Sequence, residues 1–317
     1  MKKILVAGGA GYMGHRLVPA LIARNYDVTV VDPLWFMTYK LHGVRLLADS
    51  MMRLKWEDLK GYDATIFMAG MSSRPLCDAC ADQALSSNVA APAYLAYLSK
   101  KAAVPRFIYA STVSVYGNTL NDVSREEDSI ITQELYGMSK IMGEKASIYL
   151  ADDTFSVIAL RKGTLSGYSP RMRLDLIVNA MFKSALVKGE ITVMRSPDLW
   201  RPILSVKDAT HAYIQAIEAP KEVSGVFNIA SGNYTIGEIA ESIQNAVGGE
   251  IIVLGGDDDR NYKVSIEKAA DVLSFRPEQK IDDIVKELIE FKHEFSDWSN
   301  PAYYNINAAS VVKKEKL

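Results

Sequence analysis

The chain contains a tyrosine and a lysine that are spaced for proton chemistry, Tyr136 and Lys140, in the segment Y-G-M-S-K. An i, i+4 spacing places both side chains on one face of a helix. Tyrosine is a poor base at its ordinary pKa of about 10, but a nearby positive charge favours the phenolate and lowers that pKa. The pair is therefore suited to taking a proton from a substrate hydroxyl. The same spacing also occurs often by chance, so its weight depends on the motifs around it.

Upstream of this pair, an apolar run over residues 107–110 ends in a cluster of hydroxyls, S-T-V-S, at residues 111–114. Ligands of parallel α/β sheets bind in the crevice at the carboxyl ends of the strands. A hydroxyl at this edge, such as that of Thr112, can exchange a hydrogen bond with the reacting oxygen beside Tyr136. Taken alone, the cluster is equally compatible with a simple serine/threonine turn.

Near the N terminus, Gly8, Gly11 and Gly14 follow a short apolar run and open a helical segment. Glycines in this position allow a tight turn, let the backbone approach a pyrophosphate and let the helix pack closely on the strand. The helix N terminus adds free N–H groups and a partial positive charge. The segment therefore predicts a dinucleotide-binding site.

Asp32 ends the second strand-like run, about twenty residues after the glycines, where a carboxylate accepts hydrogen bonds from the adenosine ribose. Such a carboxylate repels a 2′-phosphate, and no basic residue follows it directly, so the sequence favours NAD over NADP. The alternative is an aspartate that only caps a turn. Weaker candidates for the same ligand, chosen by position at the ends of the next apolar runs, are Asp49, Ser50, Met68, Ala69 and Gly70.

The elements that must position these residues alternate between short β-rich runs and amphipathic segments. Strands are expected over 4–7, 27–31, 65–69, 107–110 and 156–160, and helices over 16–24, 88–102 and 136–150. This alternation predicts an α/β fold with a doubly wound parallel (Rossmann) sheet.

After residue 167 the pattern loosens. Short strands are expected over 191–194, 203–206 and 226–229, and helices over 174–188, 208–218 and 236–247. We expect an NAD-binding Rossmann domain over 1–165, with a return around 200–230. A smaller C-terminal α+β domain, mainly 166–310, would then bind the substrate.

The composition excludes several classes of protein. The 317 residues carry a formal net charge of -2, so nucleic acid is not an expected partner. No apolar run of about twenty residues exists, so we expect no transmembrane helix, no membrane partner and a cytoplasmic location. Cys77 and Cys80 form a C-x-x-C pair, which is typical of redox pairs or half a zinc site. Because no second cysteine pair accompanies them, we expect structural thiols and no metal.

Taken in order, these segments resemble the extended short-chain dehydrogenase/reductases, specifically the NAD-dependent epimerase/dehydratase family, which modifies nucleotide sugars. The resemblance covers nearly the whole chain. The segments that carry it are G-G-A-G-Y-M-G at 8–14, Asp32, A-G at 69–70, Asn88 opening a helix, S-T-V-S-V-Y-G at 111–117, Y-G-M-S-K at 136–140, L-R-K-G-T-L-S-G at 160–167, W-R-P-I-L-S-V-K-D at 200–208 and G-N-Y-T-I at 232–236.

The resemblance implies roles for individual residues. It implies that Tyr136 is the catalytic base, that Lys140 is its electrostatic partner and holds the cofactor ribose, and that Thr112 is the catalytic hydroxyl. To the cofactor-binding residues named above it adds Tyr12, Met13 and Asn88. Its candidates for the nucleotide sugar are Arg74, Ser114, Thr164, Arg201 and Arg260, with Arg171 and Arg173 as further candidates for holding the nucleotide. Arginine suits a diphosphate because its fork is planar and always charged, although each arginine could instead form a surface ion pair.

Departures from the family pattern narrow the reaction. Dehydratases that act at C4 and C6 carry Asp-Glu directly after the catalytic threonine, and decarboxylating relatives keep the glutamate, but here Val113 and Ser114 occupy these positions. Thr164 stands where many epimerases have an asparagine that touches the diphosphate.

An epimerase that transiently oxidises a sugar hydroxyl, expected at C4, fits this pattern best. The alternatives are an NAD(P)H-dependent reductase of an NDP-4-keto sugar, then a dehydratase or decarboxylase, and finally a non-catalytic NAD sensor. The resemblance also implies a homodimer built on the helices around 88–101 and 136–150.

Overall fold

The computed structural model describes residues 1–36, 41–117, 122–194, 196–255 and 260–312. Its strands are β1 (Lys3–Ala7), β2 (Asp27–Val31), β3 (Arg45–Leu47), β4 (Ala64–Phe67), β5 (Arg106–Thr112), β6 (Ser156–Lys162), β7 (Thr164–Ser166), β8 (Glu190–Val193), β9 (Trp200–Ser205), β10 (Gly225–Ile229), β11 (Gly232–Thr235) and β12 (Glu250–Val253). Its α-helices are α1 (Gly14–Ala23), α2 (Arg74–Ala79), α3 (Ala81–Leu85), α4 (Ala91–Lys101), α5 (Leu135–Ile148), α6 (Ile177–Lys188), α7 (Val206–Glu218), α8 (Ile236–Val247), α9 (Glu267–Val272), α10 (Ile281–Glu290) and α11 (Ala309–Val312).

Seven of these strands form a parallel sheet in the order β10-β6-β5-β4-β1-β2-β3. The predicted doubly wound α/β fold is therefore confirmed. The chain order of the strands reverses direction between β1 and β4. In open parallel sheets a crevice forms at such a point, outside the carboxyl ends of the two strands, and ligands bind there.

The central strands are buried on both faces, which explains their nearly continuous apolar sequences. Alternate residues of β1 enter different cores: Ile4 and Val6 pack in one cluster, whereas Leu5 and Ala7 pack in another. All seven residues of β5 are buried. This enclosure holds the carboxyl end of β5 in a fixed position relative to β4 and β6.

The second half of the chain contributes to the main sheet and also builds smaller sheets. β10 pairs with β6 at the edge of the main sheet. β9 instead pairs with β7 and β11 in a three-stranded sheet, and β8 pairs with β12. The strand expected over 203–206 thus exists as β9 and lies outside the main sheet. The domain division near residue 165 stays a prediction.

The last described segment, Pro301–Val312, was not predicted as structured. It forms two short 3-10 turns followed by α11. Ala308 and Val312 are buried in one apolar cluster with Leu76, Cys77 and Cys80. This cluster packs the C-terminal segment on α2. Both thiols are free and buried.

No helix among the described residues combines the length and the apolar character that crossing a membrane requires.

Candidate active site

A cavity of about 1520 Å³ opens along the carboxyl edge of the main sheet. Its lining includes residues that directly follow β1, β2, β3 and β4, together with the last residues of β5 and β6. The cavity therefore occupies the crevice that the reversal of strand order creates.

The glycine segment at the start of α1 shows two distinct uses of glycine. A Cβ on Gly8 would lie 2.4 Å from the backbone N of Ala69, and one on Gly14 would lie 2.1 Å from the carbonyl oxygen of Gly9. Those two glycines are required by the packing of the chain on itself. A Cβ on Gly11 would meet only the carbonyl oxygen of Gly8, at 3.5 Å, and Gly11 lines the cavity. Gly11 therefore leaves space for a ligand to approach the backbone.

Asp32 joins this glycine segment to the end of β2. Its carboxylate is buried and accepts hydrogen bonds from the backbone N–H groups of Ala10 (3.0 Å) and Leu34 (2.8 Å). Burial raises the pKa of Asp32, whereas the two N–H donors act in the opposite direction. Because each carboxylate oxygen has a further lone pair and the residue lines the cavity, Asp32 can also accept hydrogen bonds from a ribose. The open backbone at Gly11 and this carboxylate fit a dinucleotide.

The five weaker cofactor candidates all line the cavity: Asp49, Ser50, Met68, Ala69 and Gly70. Two of these side chains are also used locally. The Asp49 carboxylate forms an ion pair with Arg53 at 3.1 Å, and the Ser50 hydroxyl accepts a hydrogen bond from the Met52 N–H at 3.3 Å.

Of the cofactor residues that the resemblance added, Met13 and Tyr12 line the cavity. The Tyr12 hydroxyl already has two partners within the protein: it donates to the carbonyl of Gly167 at 2.6 Å and accepts from the Asn179 amide at 3.2 Å. Asn88 is fully buried and is not part of the cavity lining. Its amide donates to the carbonyl of Met71 and to the hydroxyl of Ser139, both at 3.0 Å. Asn88 thus fastens the segment after β4 to α5.

Thr112 and Tyr136 line the same cavity. Thr112 ends β5, and its hydroxyl accepts from the Ser114 N–H at 3.2 Å and donates to the Ser114 hydroxyl at 3.1 Å. Tyr136 lies in the first turn of α5. Burial raises the pKa of Tyr136 to about 12, and its interaction with Thr112 opposes that rise. At neutral pH and without a ligand, Tyr136 is therefore a phenol.

Lys140 lies one turn further along α5 and is buried beside an aromatic ring rather than at the cavity surface. Its ammonium lies 4.4 Å from the centre of the Tyr109 ring. Among the residues that the structure describes, no carboxylate is within salt-bridge distance of it. Burial, with repulsion from Lys162, lowers the pKa of Lys140 to about 7.

A buried polar network behind the end of β5 was not predicted. The Ser111 hydroxyl donates to Glu144 of α5 at 2.5 Å, and Glu144 forms a two-pronged ion pair with Arg161 of β6 at 2.7 and 3.0 Å. Both charged side chains are almost completely buried. This network joins β5, α5 and β6 to one another. It therefore fixes the relative positions of the two elements that carry Thr112 and Tyr136.

The predicted substrate residues Arg74, Ser114, Thr164, Arg201 and Arg260 all line the cavity. The carboxylate of Glu134 joins two of them, since it lies 2.8 Å from Arg74 and 3.3 Å from Arg260. Arg201 is buried and donates to the carbonyls of Trp200 (2.8 Å) and Arg260. Residues 256–259, which precede Arg260, lie outside the described residues.

Further cations line the cavity: Arg171 and Arg173, which were predicted to hold the nucleotide, and Lys162, which was not predicted. Lys162 is the direct neighbour of Thr112 across the β5–β6 pair, and burial, with repulsion from Arg173, lowers its pKa to about 8. Arg173 forms a two-pronged ion pair with Asp175, at 3.0 and 2.7 Å, and also contacts Ser72. Arg171 is buried in the same wall. Together these cations suit a ligand with several negative charges.

Residues 4–230 match the model of the NAD dependent epimerase/dehydratase family. The chain belongs to this family. It is 26% identical to UDP-glucose 4-epimerase of Lacticaseibacillus casei over 89% of this chain and 93% of that protein. Among solved structures it is similar to UDP-glucose 4-epimerase of Thermotoga maritima with UDP-glucose (TM-score 0.82, 22% identity, 92% of this chain and 99% of that one). It is also similar to UDP-glucuronic acid 4-epimerase of Bacillus cereus with UDP-glucuronic acid and NAD (TM-score 0.80, 22% identity, 93% and 100%). The predicted family and its cofactor, NAD, are confirmed.

The two uses of glycine lead to opposite expectations for a matched pair of variants. Gly14→Ala should lower the free energy of unfolding by about 3 kcal/mol or more, because the methyl group collides with backbone. The free energy of unfolding of Gly11→Ala should be within about 1 kcal/mol of that of the wild type. This variant should nevertheless bind NAD at least about tenfold more weakly, because the methyl group would fill the space that Gly11 leaves open to a ligand. Urea unfolding and equilibrium NAD binding measure both effects, and wild-type NAD affinity in Gly11→Ala would contradict the assignment.

The lowered pKa of Lys140 predicts a pH-dependent effect of its removal. Between pH 7 and the unfolded-state pKa of about 10.4, the unfolded chain binds more protons at this site, so the wild type gains stability as pH rises. Lys140→Met should therefore be more stable than the wild type by about 2–4 kcal/mol below pH 7, and the difference should shrink towards pH 10. Lys145→Met, at an exposed position of the same helix, is the control. Urea unfolding from pH 6 to 9.5 checks this, and a difference that does not vary with pH would refute it.

Proposed function

We propose that the protein is an NAD-dependent nucleotide-sugar epimerase that works by transient oxidation of the sugar hydroxyl at C4. The observation that carries this proposal is that Thr112 and Tyr136 line the same cavity as Gly11 and Asp32. A substrate hydroxyl beside Tyr136 would therefore share the cavity with a dinucleotide that lies along the glycine segment. The similarity along almost the full length of a 4-epimerase supports the same reaction.

In this proposal Tyr136 takes the proton of the C4 hydroxyl, and the Thr112 hydroxyl holds the same oxygen by a hydrogen bond. The glycine segment and Asp32 would hold NAD, which would supply a reversible hydride acceptor for the C4 hydrogen. The cavity holds the resulting keto sugar until the sugar has turned, so that the hydride can return to the opposite face of C4. Tyr136 then gives the proton back to the C4 oxygen, so that no proton or electron is gained or lost over the cycle.

The pKa of Tyr136 explains why this residue can act in both directions. Burial holds its pKa near 12, so the phenol is the resting form. A positive charge beside it favours the phenolate, and removal of that charge restores the phenol. Tyr136 would therefore act as a base while a positive charge lies beside it and as an acid once that charge is gone. Lys140, buried one helical turn away, adds positive charge whenever it is protonated.

In this proposal the nucleotide part of the substrate is bound by Arg201, Arg260 and Arg74. Glu134 already orients two of these arginines, so less freedom is lost when a diphosphate binds. Ser114 and Thr164 supply neutral hydrogen-bonding groups to the same cavity. The proposal includes these five residues as the substrate-binding set.

The side chains after Thr112 do not favour dehydration. Val113 is buried and apolar, and Ser114, which does face the cavity, carries no carboxylate. A net reduction of a keto sugar would use the same Thr112 and Tyr136. It differs in requiring that the cofactor leave after each turnover.

As part of the same proposal, the enzyme acts as a homodimer in the cytoplasm. Four large side chains on or at the ends of α4 and α5 are exposed: Tyr97, Met138, Met142 and Tyr149. An apolar surface on two neighbouring helices is suited to packing against the same helices of a second copy.

Two measurements on the purified protein test the function. Denaturation should release about one NAD per chain, and the native protein should interconvert C4 epimers of a UDP-, GDP- or CDP-sugar, followed by NMR without added cofactor.

Tyr136→Phe should lower kcat by about 10²–10⁴-fold, because proton transfer is lost, while NAD stays bound. Tyr26→Phe is the control, because the Tyr26 hydroxyl donates to Glu218 at the surface and the residue does not line the cavity. Protein that purifies empty and consumes NADH or NADPH with a keto sugar would establish the reductase instead.

A further inference from the structure

Arg171 is a buried cation that the proposed reaction does not use. Its exposed fraction is 1%, and it lines the cavity. The guanidinium lies over the Phe36 ring, 3.9 Å from the ring centre, and one terminal nitrogen donates to the Asn305 side chain at 2.7 Å. Its Nε has no hydrogen-bond partner within the described part of the chain. No carboxylate of the described residues lies within salt-bridge distance.

In lacking a direct ion pair Arg171 differs from Arg161 and Arg173, since Asp175 and Asp32 act on its charge only from beyond salt-bridge distance. Arg161 has Glu144 as a counterion, and Arg173 has Asp175. A buried charge without a counterion is strongly disfavoured, and a neutral amide such as Asn305 does not neutralise it. Because Arg171 faces the cavity, a ligand in that cavity can supply the missing negative charge and complete its hydrogen bonds.

The neighbours of Arg171 show which part of the cavity it serves. The segment that leads to it is fastened to the glycine segment, since the Tyr12 hydroxyl donates to Gly167 at 2.6 Å and the Ser169 hydroxyl donates to the Tyr12 carbonyl at 2.7 Å. Phe36, on which the guanidinium stacks, follows Asp32 by four residues. Arg171 thus lies with the residues that would hold the adenosine and pyrophosphate of a dinucleotide.

We propose that Arg171 binds the pyrophosphate of the bound dinucleotide, as a second phosphate-binding group besides the backbone of the glycine segment. The inference rests on the proposed binding of NAD in this cavity. Phe36 and Asn305 are positioning residues, because they hold the guanidinium and do not themselves carry charge. Asn305 also donates to the Ser72 hydroxyl at 3.0 Å. The C-terminal segment Pro301–Val312, which carries Asn305, therefore contributes to the affinity for NAD.

The test compares Arg171→Met, Arg171→Lys and the control Arg125→Met, whose arginine is exposed and paired with Glu267. Equilibrium binding of NAD, ADP-ribose and UDP is measured on protein freed of nucleotide, together with the melting temperature. Arg171→Met should bind NAD and ADP-ribose about tenfold to hundredfold more weakly, since a charged hydrogen bond is lost, and should bind UDP normally. Arg171→Lys should retain part of the affinity. The ligand-free Met variant should melt at the wild-type temperature or above it, because an uncompensated buried charge has gone.

A second variant supplies the missing charge from within the protein. Asn305→Asp places a carboxylate where the amide oxygen lies 2.7 Å from the guanidinium. It should raise the melting temperature of the ligand-free protein and weaken NAD binding, since the new carboxylate competes with the pyrophosphate. Stronger or unchanged NAD binding would contradict the inference.

Other outcomes separate the inference from the function on which it rests. Normal NAD binding with weakened UDP binding in Arg171→Met would assign the arginine to the nucleotide sugar and overturn the inference alone. Normal NAD binding with a lower melting temperature would show a purely structural role and also overturn it. Failure of the wild type to bind NAD or ADP-ribose would overturn the proposed function itself.

Discussion

The backbone of Gly8 packs directly on Ala69, so closely that a single added methyl group would lie 2.4 Å from the Ala69 nitrogen. This contact joins the loops that follow β1 and β4, the two strands between which the chain order reverses. Asp32 joins the end of β2 to these two loops, because its carboxylate accepts a hydrogen bond from the Ala10 N–H of the glycine segment. The crevice keeps its shape because these three strand ends are fastened to one another by backbone contacts. The remaining parts of the site are arranged around it.

On the other side of the crevice, β5, β6 and α5 are joined by a buried ion pair and not by close backbone packing. The Glu144–Arg161 pair joins α5 to β6 inside the protein, and Ser111 adds β5. Thr112 directly follows Ser111 in β5, and Tyr136 lies in the first turn of α5, about two turns before Glu144. Burial lowers the pKa values of Lys162, which lines the cavity, and of Lys140, which is buried behind it. A dinucleotide and a nucleotide diphosphate would bring negative charge to the cations of this site.

Much of this arrangement could be predicted from the sequence because local patterns determine it. Strands that are buried on both faces leave apolar runs, and β2 was predicted at its observed bounds, Asp27–Val31. The glycine segment and Asp32 were predictable because their spacing reflects backbone geometry near one ligand. The assignment of Asn88 to the cofactor stays a prediction, whereas its hydrogen bonds to Met71 and Ser139 depend on tertiary packing and were not predicted. The position of Asn305 against Arg171 joins residues 134 apart in the chain, and no local pattern encodes it.

The central claim, a hydride that leaves and returns within one enzyme, is tested most directly with a nucleotide sugar that carries deuterium at C4. Mass spectrometry and NMR of the product would locate the label after one or more turnovers. Transient oxidation predicts that the C4 epimer keeps the deuterium at C4, with none in water and none in released cofactor. Deuterium in the solvent would instead show removal of the C4 hydrogen as a proton. Deuterium in a released reduced dinucleotide would show a net oxidoreductase, and either result would contradict the account.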